Sequence, residues 1–343
     1  MLKWPVALFV LLCLASQQSS RAQAVKVNIG HTNAAADVGF FVADKRGYFK
    51  AEGIEPNFIA FDSGARMIAP FASGDLDVGG GAPSAALYNA AGRGINIKIV
   101  ADKTSTPPGR PSQSLMVRKD LIDSGRFKTL ADLKGMKLAG TAPGASGDGT
   151  VYKIYERAGL AQTDIDRVYM GYPQQLLALA NKAIDAALPA EPTATDMEMR
   201  GVAVRFMGDD VIYPGHQIST VLYSSQFAAR KELGVRFMRA YLRGLRDYND
   251  AIENAHLVGA GGEAIIAILT EYSQIKDPAV YRRMSVNRCD PDGKVNVDSL
   301  QFDLEVFRDE KLIETPVTLA DALDTSFAEA AVRDMGAYRK ATR

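Results

Sequence analysis

Two stretches of the sequence place small residues directly before a helix-length segment, in a pattern that suits the binding of polar groups. They are GGAPSAALYNAAGRG from residue 80 and GTAPGASGDGTVYKIYERAG from residue 140, and both begin G-x-A-P. The glycines let the backbone turn and approach a ligand, the proline stiffens the turn, and Ser84 or Ser146 can cap the helix. The first N–H groups of each helix then attract an anionic or strongly polar group. Ordinary strand-to-helix turns remain the alternative interpretation.

The charged residues near these turns leave the sign of such a ligand open. Asp148 lies in the first turn of the second helix, where it favours the helix dipole but repels an anion, so an amine, a hydroxyl or a neutral ring becomes an alternative. Arg110, in STPPGRPSQ, could supply a counter-charge for an acidic ligand, or it could be a solvated loop residue.

The sequence lacks the motifs of common nucleotide, metal and hydrolase sites. GASGDGT has no lysine for a phosphate-binding loop, and the dinucleotide G-x-G-x-x-G spacing is missing. The histidines at 31, 216 and 256 follow no H-E-x-x-H spacing, and no G-x-S-x-G stretch occurs. We therefore predict no catalytic residues, no cofactor and no metal.

The elements that position these turns alternate along the chain. Short apolar runs such as VKVNIG, PNFIAF and LDVGG are each followed by an amphipathic segment, which indicates βαβ units. A second cycle starts at SLMVRK and continues to AIDAAL, and ISTVLY at 218–223 is a further strand. From 225 to 343 the pattern is almost entirely helical, with apolar residues at 237, 238, 241, 242, 245 and 248.

The N-terminal residues 1–24 have the features of a cleaved secretory signal. Lys3 precedes the apolar run VALFVLLCLA, which is too short to span a bilayer, and AQA at 22–24 fits a cleavage site. The protein is therefore expected in the periplasm, with Cys289 as its one remaining cysteine. The formal net charge of 0, without long runs of like charge, argues against nucleic acid as a partner.

Four motifs resemble the periplasmic solute-binding proteins of nitrate-, sulfonate- and taurine-type ABC importers and their thiamine-precursor relatives. They are RGYFKAEGIEP (46–56), SGDLDVGGGAP (73–83), LADLKGMKLAG (130–140) and AALPAEP (186–192). The first of them reads as a helix end, a turn and a strand, so we interpret it as a marker of the fold and not as a site.

This resemblance implies an α/β, type II periplasmic binding protein fold, in which two α/β lobes joined by two crossover strands close on a ligand and a helical C-terminal tail completes the molecule. We assign 25–112 and 222–343 to lobe one with the C-terminal helices, and 113–221 to lobe two, with crossings near 110–116 and 217–223. The two G-x-A-P turns should then face each other across the cleft.

In such sheets ligands lie beyond the carboxyl ends of the strands, and this rule selects the candidate ligand-binding residues. In lobe one they are His31, Thr32, Asn33, Asp62, Ser63, Gly81, Ala82, Pro83, Ser84, Thr104 and Ser105, and in lobe two Ala145, Ser146, Gly147, Asp148, Gly171, Tyr172 and Glu191. For several of them a structural role is the alternative: His31 could cap a helix, Tyr172 could pack, and Glu191 could hold the hinge or the permease-facing surface.

The resemblance implies a monomeric receptor that delivers a small solute to an ABC permease and its ATPase. The solute classes considered are sulfonates such as taurine, nitrate-like anions, pyrimidines and aromatic acids. Two alternatives stay open: an enzyme of the thiamine-pyrimidine synthase or desulfinase type, and a ligand-sensing domain without transport. The enzyme is disfavoured because Cys289 is far in sequence from every predicted cleft turn.

Overall fold

The computed structural model describes residues 23–340, so the predicted signal lies almost wholly outside the described residues. The strands, in chain order, are β1 (Val25–His31), β2 (Ile54–Ala60), β3 (Val78–Gly81), β4 (Lys98–Thr106), β5 (Ser114–Arg118), β6 (Lys137–Gly140), β7 (Asp166–Tyr169), β8 (Ala186–Ala187), β9 (Ala203–Gly208), β10 (His216–Tyr223), β11 (Ile252–Glu253) and β12 (His256–Leu257).

The α-helices are α1 (Val38–Lys45), α2 (Tyr48–Ala51), α3 (Ile68–Ser73), α4 (Ala85–Gly92), α5 (Lys119–Asp123), α6 (Gly147–Ala158), α7 (Tyr172–Ala180), α8 (Thr193–Met199), α9 (Asp209–Ile212), α10 (Ser225–Ala229), α11 (Lys231–Asp250), α12 (Gly259–Tyr272), α13 (Pro278–Arg283), α14 (Val297–Asp309), α15 (Leu319–Ala322) and α16 (Ser326–Met335). Among residues 23–340, no helix is both long and apolar enough to cross a membrane.

Two five-stranded sheets with the same plan form the framework. Their strand orders are β2-β1-β3-β10-β4 and β7-β6-β8-β5-β9. In each sheet the first three strands are parallel, and the fourth runs antiparallel to both of its neighbours. Apolar clusters pack on the faces of both sheets, so each sheet has its own core. The predicted α/β fold is confirmed.

Strand β10 corrects the predicted boundary of the second lobe. Residues 216–221 were assigned to lobe two, but β10 pairs with β3 and β4 of the first sheet. The two sheets are therefore connected by residues 107–113, between β4 and β5, and by residues 209–215, between β9 and β10. The apolar run ISTVLY predicts a strand, but sheet membership depends on distant partners that the run does not reveal.

The C-terminal region is helical as predicted, and α11 supplies its central packing surface. Phe237, Met238, Tyr241, Leu242, Leu245 and Tyr248, the residues at the predicted apolar positions, are all fully buried. Glycines on both sides permit this close packing, because a Cβ at Gly39 of α1 would lie 2.5 Å from the Tyr241 ring. The helix ends at Asp250, and a short β11–β12 hairpin follows where the pattern suggested more helix.

Candidate functional site

A small enclosed chamber of about 30 Å³ lies between the two sheets, next to both connecting segments. Residues after β1, β2, β3 and within β4 form one wall, and the start of α6 forms the opposite wall. The lining residues are Thr32, Ala34, Ala36, Asp62, Ser63, Gly64, Ala82, Lys103, Thr104, Ser112, Gln113, Thr141, Ala145, Ser146, Gly147, Tyr172, Ala190, Ile218 and Ser219.

The start of α6 presents backbone to the chamber and is fixed by a contact to the first sheet. Ser146 Oγ donates a hydrogen bond of 2.6 Å to the Ile218 carbonyl oxygen on β10. In the first turn of α6, the Asp148 and Gly149 N–H groups already donate to the carbonyl oxygens of Ala145 (2.8 Å) and Ser146 (2.9 Å), so the Gly147 N–H is the donor that the helix start offers to a ligand. The predicted lobe-two turn thus opens onto an enclosed space.

A buried ion pair lies behind the opposite wall. Lys103 Nζ is 2.7 Å from Asp37 Oδ1 and also donates to the Gly80 carbonyl oxygen at 2.9 Å. The second Asp37 oxygen accepts from the backbone N–H groups of Thr32 (3.2 Å) and Ala34 (2.9 Å). Burial alone would raise the pKa of Asp37, but the Lys103 charge and the side-chain contacts with His31 and Lys103 outweigh it, so the pKa is lowered and the carboxylate stays ionised.

Three buried polar atoms on the chamber walls have no hydrogen-bond partner. They are Ser63 Oγ, Gln113 Oε1 and Ser219 Oγ, on side chains of residues that are 4%, 7% and 7% exposed. Native proteins rarely leave such groups unpaired, since each one sacrifices the free energy of a hydrogen bond to water. Gln113 is itself held in place, because its Nε2 donates to Tyr172 Oη (3.3 Å) and its backbone N–H donates to Asp209 (2.9 Å).

The two G-x-A-P turns meet across the chamber, as predicted. Ser84 and Ala145 form an isolated antiparallel bridge, and the Ala85 N–H donates to the Gly144 carbonyl oxygen at 2.8 Å. A second contact joins the Ala35 N–H to the Glu191 carbonyl oxygen, also at 2.8 Å. These backbone contacts between the sheets close the chamber on two sides.

A larger groove of about 390 Å³ adjoins the chamber and shares Thr32, Asp62 and Tyr172 with it. Both parts of the molecule contribute apolar side chains to this groove, which otherwise has a polar lining. The apolar residues are Phe61, Pro173, Leu176, Leu177 and Ile275. The chamber and the groove together can hold a small polar group and a longer body.

Several predicted ligand-binding residues line these spaces. Thr32, Asp62, Ser63, Ala82, Thr104, Ala145, Ser146, Gly147 and Tyr172 line the chamber, and Asn33 lines the groove. Contact of these residues with a ligand stays a prediction. Burial raises the pKa of Tyr172 to about 12, so its hydroxyl is protonated at neutral pH and can both donate and accept.

Other predicted residues have structural partners and lie outside the chamber lining. The His31 ring packs edge-on against Phe41, and its Nδ1 is 3.8 Å from Asp37 Oδ2. Glu191 is buried and its carboxylate pairs with Arg205 of β9 at 2.7 Å, so the carboxylate has a structural partner, and a role at the hinge stays a prediction. Its backbone carbonyl, not its carboxylate, faces the first lobe.

The remaining candidates support the turns. Ser84 caps α4 by accepting from the Leu87 N–H, and Ser105 accepts from the Arg288 guanidinium at 3.0 Å. Gly81 packs against Gly64, where a Cβ would come within 2.6 Å of the Gly64 Cα, and Pro83 is buried in the turn. Gly171 packs near Asp62, so these five residues shape the walls without lining them.

Asp148 also faces away from the chamber. Its carboxylate accepts from the Gly144 N–H at 2.7 Å and pairs with Arg167. Glu310, from the first-lobe side, lies close enough that burial and the Asp148 charge raise its pKa to about 7, against the opposing effect of Arg167. Arg110 is likewise engaged, because its guanidinium donates to the carbonyl oxygens of residues 286 and 287.

Sequence reasoning missed two of the three unpaired side chains and the ion pair, as well as several other lining residues. The missed residues are Asp37, Lys103, Ser112, Gln113, Thr141, Ile218 and Ser219. Lys103 carried a signal, since it is a charged residue inside the apolar run IVADKTST. Gln113 and Ser219 carried none, because they come from segments whose neighbours in space are set by the crossings. Within residues 23–340, His, Cys, Asp and Glu side chains form no group suited to a metal ion.

Comparison with known proteins agrees with this architecture. Residues 35–254 match the family model described as NMT1/THI5 like. The chain belongs to the NMT1/THI5-like family. A Brucella abortus (strain 2308) protein named only as a binding protein is 30% identical over 146 residues, which cover 43% of this chain and 41% of that relative. The match therefore spans less than half of the relative's length.

Two solved structures show the fold of this family member. The alkanesulfonate-binding protein SsuA from Xanthomonas axonopodis pv. citri, bound to MOPS, has a TM-score of 0.68 and 19% identity and covers 88% of this chain and 99% of its own. The periplasmic nitrate-binding protein NrtA from Synechocystis PCC 6803 has a TM-score of 0.75 and 12% identity, with coverages of 92% and 90%. The chain has the periplasmic binding protein fold.

Proposed function

We propose that the protein is the extracytoplasmic substrate-binding component of an ABC importer, which traps a small organic solute between its two lobes and delivers it to a permease. The observation that carries this proposal is the enclosed chamber with three unpaired buried polar groups, Ser63 Oγ, Gln113 Oε1 and Ser219 Oγ. Groups of this kind are satisfied when a ligand supplies the missing hydrogen bonds.

Closure of the lobes is the step by which the ligand would be held. The backbone contacts from Ala85 to Gly144 and from Ala35 to Glu191 join opposite sides of the chamber, so they form only when the lobes are together. A ligand that bridges both walls binds the closed state more tightly than the open state and shifts the population toward it. The permease could then distinguish loaded from empty protein by the lobe arrangement.

The enzyme alternative is not supported by the surroundings of Cys289 and His216. The Cys289 side chain is fully buried outside the chamber lining, and burial raises the pKa of its thiol far above neutrality, so the thiolate needed for attack is not formed. His216 contacts Thr150 (3.2 Å) and Asp303 (2.8 Å), but this group is also buried and does not line the chamber.

The proposal is tested by a thermal-shift screen over sulfonates, nitrate, amino acids, carboxylic acids, amides and pyrimidines, because a cleft ligand stabilises by RT ln(1 + [L]/Kd). For any hit, Ser219→Ala should weaken binding at least about fivefold, about 1 kcal/mol, since one ligand hydrogen bond is lost. Ser273→Ala is the matched control, as Ser273 is an equally buried serine outside the chamber.

Small-angle scattering supplies the second measurement, because ligand-driven closure should reduce the radius of gyration. A hit that binds Ser219→Ala as tightly as wild type would contradict the site. Chemical conversion of a hit by the purified protein would contradict the receptor function itself.

A further inference from the structure

We infer that the group bound in the chamber is uncharged: the ligand presents a compact neutral hydrogen-bonding head, such as a primary amide, and its body extends into the adjoining groove. This inference rests on the proposed function and narrows its substrate class. It differs from the anions in the names of the two structural neighbours, and it follows from the charges and unpaired atoms around the chamber.

The charge that the chamber offers to an anion is already neutralised. The two charged residues in the lining are Lys103 and Asp62. Lys103 is 2.7 Å from the Asp37 carboxylate, so a buried anion would have to compete with Asp37 for it. Asp62 adds a negative charge at the junction of chamber and groove, and its neighbour Arg66 is 3.9 Å away, with both side chains more than half exposed. Burying an anion without full compensation is costly.

A cationic head meets the opposite obstacle. The Lys103 ammonium lies in the chamber wall, and the first N–H groups of α6 carry the positive end of the helix dipole. The Asp148 carboxylate, which could offset that dipole for a cation, is turned away to Arg167 and the Gly144 N–H. Neither sign of charge therefore finds an unpaired partner in the inner wall.

The unpaired groups fit a neutral head that both donates and accepts hydrogen bonds. Gln113 Oε1 is an acceptor, while the Ser63 and Ser219 hydroxyls can each donate or accept. The Gly147 N–H at the start of α6 adds one donor, so a carboxamide can place its NH₂ at Gln113 and its oxygen at Gly147. A carboxylate in the same position would place one of its oxygens next to Gln113 Oε1, so that two hydrogen-bond acceptors would face each other.

The chamber also limits the size of the head. Its volume of about 30 Å³ holds about two or three water-sized groups, since one such group needs roughly 10–15 Å³. The rest of the ligand must leave past Thr32, Asp62 and Tyr172 into the groove of about 390 Å³. Phe61, Leu176 and Ile275 there can pack against an apolar or aromatic body.

The test uses wild-type protein and probes that share a body and differ in the head. One series is benzamide, benzoate, benzenesulfonate and benzylamine, and the other is butyramide, butyrate, butanesulfonate and butylamine. Calorimetry at neutral pH should show the amide binding at least tenfold tighter than the three charged probes in at least one series. Ser219→Ala should weaken that amide at least fivefold, which assigns it to the chamber.

Two results would overturn the inference: a charged probe that binds more tightly than its matched amide, or two series in which no amide binds. If a charged probe binds more tightly and its binding depends on Ser219, the receptor function is retained and the inference of a neutral head group is rejected. A different result would contradict the receptor function, namely that no compound of the broader thermal-shift screen stabilises the protein.

Discussion

At the scale of single residues, Gly147 decides how closely backbone approaches the chamber. A Cβ at this position would lie 3.5 Å from Gln113 Oε1, an ordinary contact distance, so alanine fits without strain. Any larger side chain has to occupy the chamber itself, whose volume is about 30 Å³. We therefore expect the size of residue 147 to be limited by the space that a ligand needs and not by the backbone conformation.

Gly147→Val should therefore weaken ligand binding at least tenfold, about 1.4 kcal/mol, while the protein remains folded. The branched side chain fills the chamber and covers the N–H group of residue 147 at the start of α6. Calorimetry with a ligand from the screen measures the effect. Gly53→Ala is the control: φ is 68° there, so alanine destabilises the fold but should leave the affinity of folded protein unchanged. Wild-type affinity in Gly147→Val would mean that the turn serves only the fold.

Asp148 and Lys103 show how much of the candidate site could be predicted from residue types alone. Asp148 stands beside the glycines in sequence and was predicted to contact ligand, yet its carboxylate turns to Arg167. Lys103 was overlooked although it lines the chamber. The sequence predicts where a helix begins. The direction in which a charged side chain points depends on its partners, and Arg167 and Asp37, the partners of Asp148 and Lys103, are distant from them in sequence.

At the scale of elements, α6 is held against α14 by a buried polar contact. His216 on β10 joins Thr150 of α6 to Asp303 of α14, with distances of 3.2 and 2.8 Å. Gly149 lies under this contact, where a Cβ would come within 2.3 Å of Asp303 Oδ1. The helix that presents the lobe-two half of the chamber is thus positioned by a helix from the C-terminal region.

Gly149→Ala should lower the free energy of unfolding by about 1–3 kcal/mol, because the added methyl group overpacks the junction. Urea denaturation measures the change. Gly147→Ala, two residues earlier in the same helix, is the matched control and should unfold at or slightly above the wild-type denaturant concentration, since its Cβ meets an ordinary contact. Equal stability of the two variants would mean that α6 and α14 adjust freely.

Most elements could be predicted because their signals are local. The apolar runs before residue 140 and the apolar face of α11 follow directly from periodicity. Strand β9 was missed, because this edge strand is only half-buried and lacks a clear apolar pattern. The partners of β10 were also missed, since pairing with β3 and β4 joins residues more than a hundred positions apart.

At the scale of the whole molecule, two similar sheets are connected by two short chain segments. The main movement that this connection permits is the opening of the space between the sheets. The contacts that oppose opening include the pairing of Ser84 with Ala145 at the two G-x-A-P turns, the Ala35–Glu191 backbone contact and the link from Thr150 through His216 to Asp303. Chain segments 107–113 and 209–215 remain as the connection when those contacts separate. Ligand entry should therefore require the turns to part.

A disulfide between these turns tests that requirement. Residues paired across an antiparallel bridge have Cα atoms about 4.5–5.5 Å apart, within the range that a disulfide spans, so Ser84→Cys with Ala145→Cys should form one on oxidation. Oxidised, ligand-free protein should then bind ligand at a rate lower by about two orders of magnitude, because the lobes cannot part to admit it. Reduction with dithiothreitol should restore the rate, as followed by stopped-flow fluorescence or surface plasmon resonance. Ser84→Cys alone is the control, since it also loses the α4 cap, and it should bind at the same rate with and without reductant. If the oxidised double variant, shown by mass to be cross-linked, binds ligand as fast as its reduced form, ligand reaches the chamber without separation of the turns, through the groove beside Thr32 and Tyr172.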